Sequence, residues 1–293
     1  DTDYFYHLLS SNLIQEQFTQ LAAGAIVKNI SGDLVKKAVL PIAPLPEQKR
    51  LVTLLDEAFE SIATAKANAQ QNLKNARALF ESHLNEVFTK RGEGWKEKTL
   101  ADVVDADCSL SYGIVQPGDE FPNGLPVIRP TNLTSKFIHI DGLKLMDPKL
   151  ADSYKRTTLI GNELLLCVRG STGVVSIASK ELKGANVTRG IVPIRFNSEL
   201  ITQEFGYYLI ISDYIQKQIR EKTYGAALMQ INIGDLRKIL TSFPSPNNQE
   251  IIVEKLNRIS TKTQRLEALY SRKIAALDEL KKALLHRAFS GEL

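Results

Sequence analysis

The chain has 293 residues, a net charge of +4 and a pI near 8.9, with 43% hydrophobic and 24% charged residues, the profile of an ordinary globular protein of about two domains. No apolar run reaches the roughly 18 residues that a membrane span needs, and the start, Asp1-Thr-Asp-Tyr, has neither the signal-peptide pattern nor an initiator Met, so the chain reads as a fragment. Cys108 and Cys167 are too few for a disulfide framework and read as inert thiols in a reducing cytoplasm; His7, His83, His139 and His286 lack metal-ligand spacing.

Residues 1–45 have no complete domain pattern of their own. Pro46-Glu47-Gln48 then opens a stretch without Pro or Gly until Gly92, which predicts a long helix over 46–92. Its seam runs through Leu51, Leu55, Ala58, Ile62, Ala65, Ala69, Asn72, Ala76, Phe80, His83 and Val87, at alternating steps of three and four. Residues 93–246 change character. Val127-Ile128, Phe137 to Ile140, Leu164 to Val168, Val174 to Ile177 and Ile191 to Ile194 read as short strands, with Gly170-Ser171-Thr172-Gly173 as a turn between two of them. One amphipathic helix is expected over 202–222, with Phe205, Tyr208, Leu209, Ile215 and Ile219 inward, and a short one from the N-cap Asn232 to Ile239. Residues 247–293 carry a second long helix, with Ile252, Leu256, Ile259, Thr263, Leu266, Tyr270, Lys273, Leu277, Lys281 and Leu284 in register. A long amphipathic helix cannot bury its stripe alone, so the two helices are expected to pair as an antiparallel coiled coil. The fold class is α+β: a mixed α/β domain plus two long helices.

The chain is internally duplicated. At an offset of 201, Tyr6 meets Tyr207, Leu8 meets Leu209, Ser11 meets Ser212, Gln17 meets Gln218 and Gly24 meets Gly225. An inserted residue then aligns Gly32-Asp33-Leu34 with Gly234-Asp235-Leu236 and Pro44 with Pro246, before Gln48, Leu55 and Phe88 return to Gln249, Leu256 and Phe289. The period is far longer than a solenoid unit, so each copy is a domain plus a helix. By this offset, residues 1–45 are the end of a first domain whose front, roughly 100 residues, lies outside the chain.

Catalytic motifs are missing from the sequence. It has no Gly-x-x-x-x-Gly-Lys-Ser/Thr, no Gly-x-Gly-x-x-Gly, no Gly-x-Ser-x-Gly and no Asn/Asp-Pro-Pro-Tyr. Glu181-Leu182-Lys183, with Asp147 or Asp152 upstream, fits a nuclease fragment that is common by chance; a solvated loop is the plainer reading. Lys and Arg number 18 between Trp95 and Phe243 against 16 Asp and Glu, so a nucleic-acid surface there requires segregated charge.

Several stretches in fixed order resemble the specificity subunit of type I restriction–modification systems. The pattern of Asp-Leu helix, Pro-containing connection, Gln and long helix occurs twice, from Gly32-Asp33-Leu34 to Gln48 and from Gly234-Asp235-Leu236 to Gln249. Trp95-Lys96, Leu125 to Arg129 with Asn132, and Gly161 to Leu165 followed by Arg169 to Gly173 resemble the family's target recognition domain. Asn247-Asn248-Gln249-Glu250 departs from Leu45-Pro46-Glu47-Gln48 of the first copy. The resemblance implies a non-catalytic subunit without cofactor or metal. It implies two recognition domains, each reading half of a split site in double-stranded DNA, with paired helices as spacer. It also implies docking to methyltransferase subunits and, through them, to restriction subunits. Candidate base readers are Arg129, Thr131, Asn132, Arg169, Ser171, Thr172, Thr188, Arg189, Lys222, Tyr224 and Gln230, since Arg forks onto guanine and Asn or Gln onto adenine. Two other readings compete: a metal-dependent nuclease using Glu181 and Lys183, and a coiled-coil interaction protein with no DNA role.

Overall fold

A computed structural model describes residues 1–22, 29–226 and 228–293; Gly24 of the repeat lies outside them. The chain forms two compact units, one of Asp1–Ala78 with Lys262–Leu293, the other of Leu79–Thr261. Two helices of 45 residues each, α4 (Leu45–Thr89) and α8 (Pro246–Ser290), contribute to both. At 1.5 Å per residue each is roughly 68 Å long.

In the first unit α1 (Thr2–Ser10), α2 (Asn12–Leu21) and α3 (Gly32–Val35) accompany the start of α4 and the end of α8. Tyr4, Leu8 and Ile14 share one core with Leu51 and Leu55 of α4 and with Leu285, Ala288 and Phe289 of α8. The two long helices run antiparallel here. Lys66 pairs with Asp278, and Arg77 Nε donates to Glu267 Oε2 at 2.9 Å. Eleven residues forward on α4 is thus eleven residues back on α8.

Ile62, Ala69 and Ala76 keep the seven-residue spacing as buried positions, and the small alanines leave room for close approach. The expected seam departs from the structure at several members, though Thr263 is buried as expected. Asn72, Lys273 and Lys281 are exposed, as is Leu266 at 37%. Lys281 instead holds its ammonium 4.7 Å above the Phe59 ring, covering apolar surface while its charge stays in water.

The second unit holds the sheets. Strands β5 (Leu164–Cys167), β6 (Val175–Ala178), β8 (Ile191–Ile194) and β3 (Phe137–Ile138) form one sheet in the order β3-β6-β5-β8. A second sheet has the order β4-β2-β7, from Lys144–Met146, Leu125–Ile128 and Asn186–Val187. Strand β1 (Lys96–Thr99) pairs antiparallel with β9 (Leu240–Phe243). All four residues of β5 are buried because the strand is covered on both faces. Leu164 and Leu166 enter the core with Phe205 and Leu209, whereas Leu165 and Cys167 enter another with Ile128 and Val187.

Residues 202–222 form two helices rather than the single one expected: α5 (Gln203–Ile211) and α6 (Asp213–Lys222). The break is Ser212, whose backbone is extended (ψ 150°) and whose Oγ donates to the Leu209 carbonyl at 2.6 Å, a local bond that competes with the helical ladder. Gly206 lets α5 approach the sheet, since a Cβ there would sit 2.3 Å from the Phe196 ring. Helix α7 (Ile233–Arg237) starts at Asn232, whose side chain accepts from Asp235 N, and stops before Ile239. Past residue 78, the buried positions of α4 are Leu84 and Phe88 rather than His83 and Val87. There they enter the core of α5 and the sheet, and a helix of 3.6 residues per turn is free of the heptad.

The duplication extends to individual hydrogen bonds. Gln48 Nε2 donates to Ala43 O and its Oε1 accepts from Asp1 N; Gln249 Nε2 donates to Pro244 O and its Oε1 accepts from Thr202 N. Gln17 brackets the Val39 backbone as Gln218 brackets that of Leu240, and Ser11 breaks α1 from α2 as Ser212 breaks α5 from α6. The N-caps Ser31 and Asn232 also stand 201 apart. The inserted residue suggested by matching Gly-Asp-Leu therefore has no structural counterpart: Pro44 O, which accepts from Gln48 N, answers to Ser245 O, which accepts from Gln249 N.

Candidate nucleic-acid interface

Most of the loops named from sequence converge at one place in the second unit. Strands β2 and β7 are parallel, so their C-terminal ends lie side by side. Arg129 follows the first and Thr188-Arg189 the second, and Thr188 N donates to Ile128 O at 2.9 Å. Segment 112–114 runs alongside: Ile114 N donates to Val187 O and Arg189 N to Ile114 O, each at 2.8 Å. Gly113 permits this approach, because a Cβ there would lie 2.0 Å from Val187 O. Val168 N bonds Gly190 O, which brings in the end of β5 and Arg169. Arg169 pairs with Gln230, and Gln230 with Tyr224 through two bonds of 2.8 Å.

The side chains fall into distinct groups. Arg129 and Arg189 are exposed and Arg169 half-buried; among the described residues none of the three makes an ion pair. Gln230 is half-buried and Tyr224 is 49% exposed. Asn132 turns its Oδ1 onto Arg129 N at 2.8 Å, so this oxygen holds the turn, while its neighbour Thr131 is exposed. Thr188 is 9% exposed and contributes chiefly through its backbone. Exposed Ser171 and half-buried Thr172 sit in a turn tied to Met229 O through Gly170 N and to Gln216 through Gly173 O. Lys222 ends α6, two residues before Tyr224.

Tyr112 is a member that the sequence reading missed. Its Oη donates to Ile231 O at 3.1 Å. Burial pushes the phenol up from its ordinary range and nearby Tyr224 adds to this, while a backbone hydrogen bond at Ile233 and then Arg189 and Arg169 pull the other way. The segment has no periodicity; its one signal is the Tyr-Gly pair, which recurs as Tyr224-Gly225.

Glu181 has a different role from the one the nuclease reading gives it. Its Oε1 lies 3.0 Å from His139 Nδ1 and accepts from Ile140 N and Ser179 Oγ. The Ile140 amide is the leading cause that holds this carboxyl below its usual range. No three His, Cys, Asp or Glu groups among the described residues are placed to hold a metal ion, and no described helix is long and apolar enough to cross a membrane.

Comparison with known proteins agrees with this architecture. Residues 92–274 match the model of the type I restriction modification DNA specificity domain, and the chain belongs to that family. It is 24% identical, over 312 aligned positions and 99% of its length, to the specificity subunit of the Escherichia coli type I restriction enzyme EcoBI. To the MjaVIII specificity subunit of Methanocaldococcus jannaschii it is 19% identical, again over 99% of its length. The chain spans 65% of the first of these relatives and 70% of the second. Its fold is that of a chain solved in a study of assembly and conformational transition of the type I R-M system (TM-score 0.80, 21% identity, covering 99% of this chain and 71% of that one). The HsdS subunit from Thermoanaerobacter tengcongensis has the same fold (TM-score 0.60, 20% identity, covering 99% and 70%).

Proposed function

We propose that this chain is a sequence-specific DNA-binding specificity subunit of a type I restriction–modification complex, without catalysis or cofactor of its own, acting in the cytoplasm. Residues 93–246 are the target recognition domain and read one half of a bipartite duplex site; 46–92 and 247–293 are spacer helices; 1–45 end a first recognition domain. The observation that carries this is the convergence of Arg129, Arg169 and Arg189, none with an ion-pair partner among the described residues, with Gln230 and Tyr224 on one backbone-linked set of loops. Arginine supplies phosphate contacts and the guanine fork, and Gln230 suits adenine.

Methyltransferase subunits carry the chemistry and restriction subunits join through them, as the family resemblance implies. The first unit offers a seat for a second β domain of the same kind. Leu9, Val35 and Ile42 are 39%, 42% and 66% exposed, whereas their counterparts Ile210, Leu236 and Phe243 are 1%, 0% and 2% exposed.

The test is to map methylated sites in cells that express the chain with its methyltransferase partner. Methylation at a defined motif, lost or redirected when Arg129, Arg169 and Arg189 are changed to Ala, supports the reading. An unchanged motif in that variant contradicts it.

A further inference from the structure

The loop cluster has two sides. On one, segment 112–114 is bonded to Val187 and Arg189. On the other, Ile231 N donates to Val168 O at 3.0 Å, and neighbouring Gln230 pairs with both Arg169 and Tyr224. Segment 112–114 on the first side and Ile231 on the second lie more than a hundred residues apart. The main chain links the two sides where Val168 N donates to Gly190 O at 2.8 Å, and the Tyr112 hydroxyl adds a side-chain link from segment 112–114 to Ile231 O. Tyr112 is 40% exposed, so it is not core filler.

We infer that Tyr112 is a positioning residue of the recognition surface: its Oη–Ile231 bond holds segment 112–114, to which Arg189 is bonded, against Gln230–Ile231, and hence sets how Arg189 and Gln230 meet a pair of bases together. The inference rests on the DNA-reading role proposed above. A guanidinium fork tolerates little displacement from a guanine edge, whereas phosphate attraction tolerates much. Losing the strut therefore relaxes discrimination while leaving sequence-independent affinity in place. The raised phenol pKa is consistent with a proton that stays on Oη to make the bond.

The experiment selects from a library of DNA duplexes with a randomised ten-base-pair centre, using the full chain and its Tyr112→Phe variant, which keeps the ring and removes only the hydroxyl. The wild-type chain enriches a defined motif. In the variant, discrimination at the one or two most selective positions falls about tenfold, while affinity for the unselected library, its salt slope and the melting temperature stay unchanged. An identical motif with identical strength in both proteins overturns the inference and leaves the DNA-reading role standing. So does a variant that melts earlier and loses selected and unselected duplexes alike, since that marks a merely structural tyrosine. A wild-type chain that enriches nothing removes the DNA-reading role itself, and the inference with it.

Discussion

The two units build the same helical module and surround it differently. In the second unit, α5, α6 and α7 pack on Leu84 and Phe88 at the end of α4 and on Leu256 at the start of α8. In the first, α1 and α2 pack on Leu51 and Leu55 at the start of α4 and on Leu285 and Phe289 at the end of α8. Each core thus takes one helix start and one helix end, which antiparallel pairing of two like helices requires. The glutamine, serine and N-cap bonds of the module repeat in both. What differs is the outer face, covered by β strands in one unit and exposed in the other. The same local bonds thus recur in both modules with and without strands on that face.

The largest contrast is expected at the paired positions 42 and 243. Phe243→Ala removes a buried ring from the core of the second unit and costs roughly 3–5 kcal/mol in urea denaturation. Ile42→Ala, at an exposed site, stays within about 0.5 kcal/mol. Equal costs would mean that the two faces are covered alike.

The glutamines come next. Gln249→Ala leaves Thr202 N, Leu200 O and Pro244 O without their partner and costs on the order of 2–3 kcal/mol. Gln48→Ala strands the Ala43 carbonyl, the terminal ammonium of Asp1 staying solvated, and costs about 1 kcal/mol. The reverse order would break the claim that one bond pattern serves both modules.

A smaller effect concerns a pair that occupies matched positions with different chemistry. His7 Nε2 lies 2.8 Å from Asp56 Oδ1, and 201 residues on Tyr208 Oη donates to Asn257 Oδ1. The double change His7→Tyr with Asp56→Asn copies the second pair into the first unit and should shift stability by only about 1 kcal/mol. A larger loss would show that the shared backbone does not make these sites interchangeable.

The smallest effect is at Glu181. Its carboxyl is held below the usual range by the Ile140 amide, so its contribution is present above the ordinary carboxylate range and is lost as pH falls through the depressed value. Glu181→Gln should flatten this acid limb as pH falls below the ordinary carboxylate range. An unchanged limb would remove Glu181 as the clamp of its loop.

Much of this was legible in the sequence. The long helices followed from a Pro- and Gly-free stretch with heptad steps, and the repeat from Ser11 with Ser212 and Gln48 with Gln249. The apolar strands β5, β6 and β8 stood out as runs of Leu, Val and Ile. Strands β1, β4, β7 and β9 did not: Lys96-Glu97-Lys98-Thr99 is a strand because β9 pairs with it, and no local pattern announces that. The break at Ser212 was hidden because apolar spacing continues across it on both helices.

At the candidate site, turn chemistry singled out Arg169, and Arg189 stood at the entry to a strand. It could not show that Asn132 caps its own turn, or that Tyr112 lies beside residues far along the chain. Those facts depend on the parallel placement of β2 beside β7, a long-range pairing.

Hydrogen–deuterium exchange on the full chain, with and without the duplex it selects from a randomised library, tests the central claim most directly. The account predicts protection on DNA binding in 112–114, 129–132, 169–172, 188–190 and 224–230, with residues 1–22 unchanged. Protection confined to residues 1–22 or to the long helices, with the loops of the second unit unaffected, would contradict it.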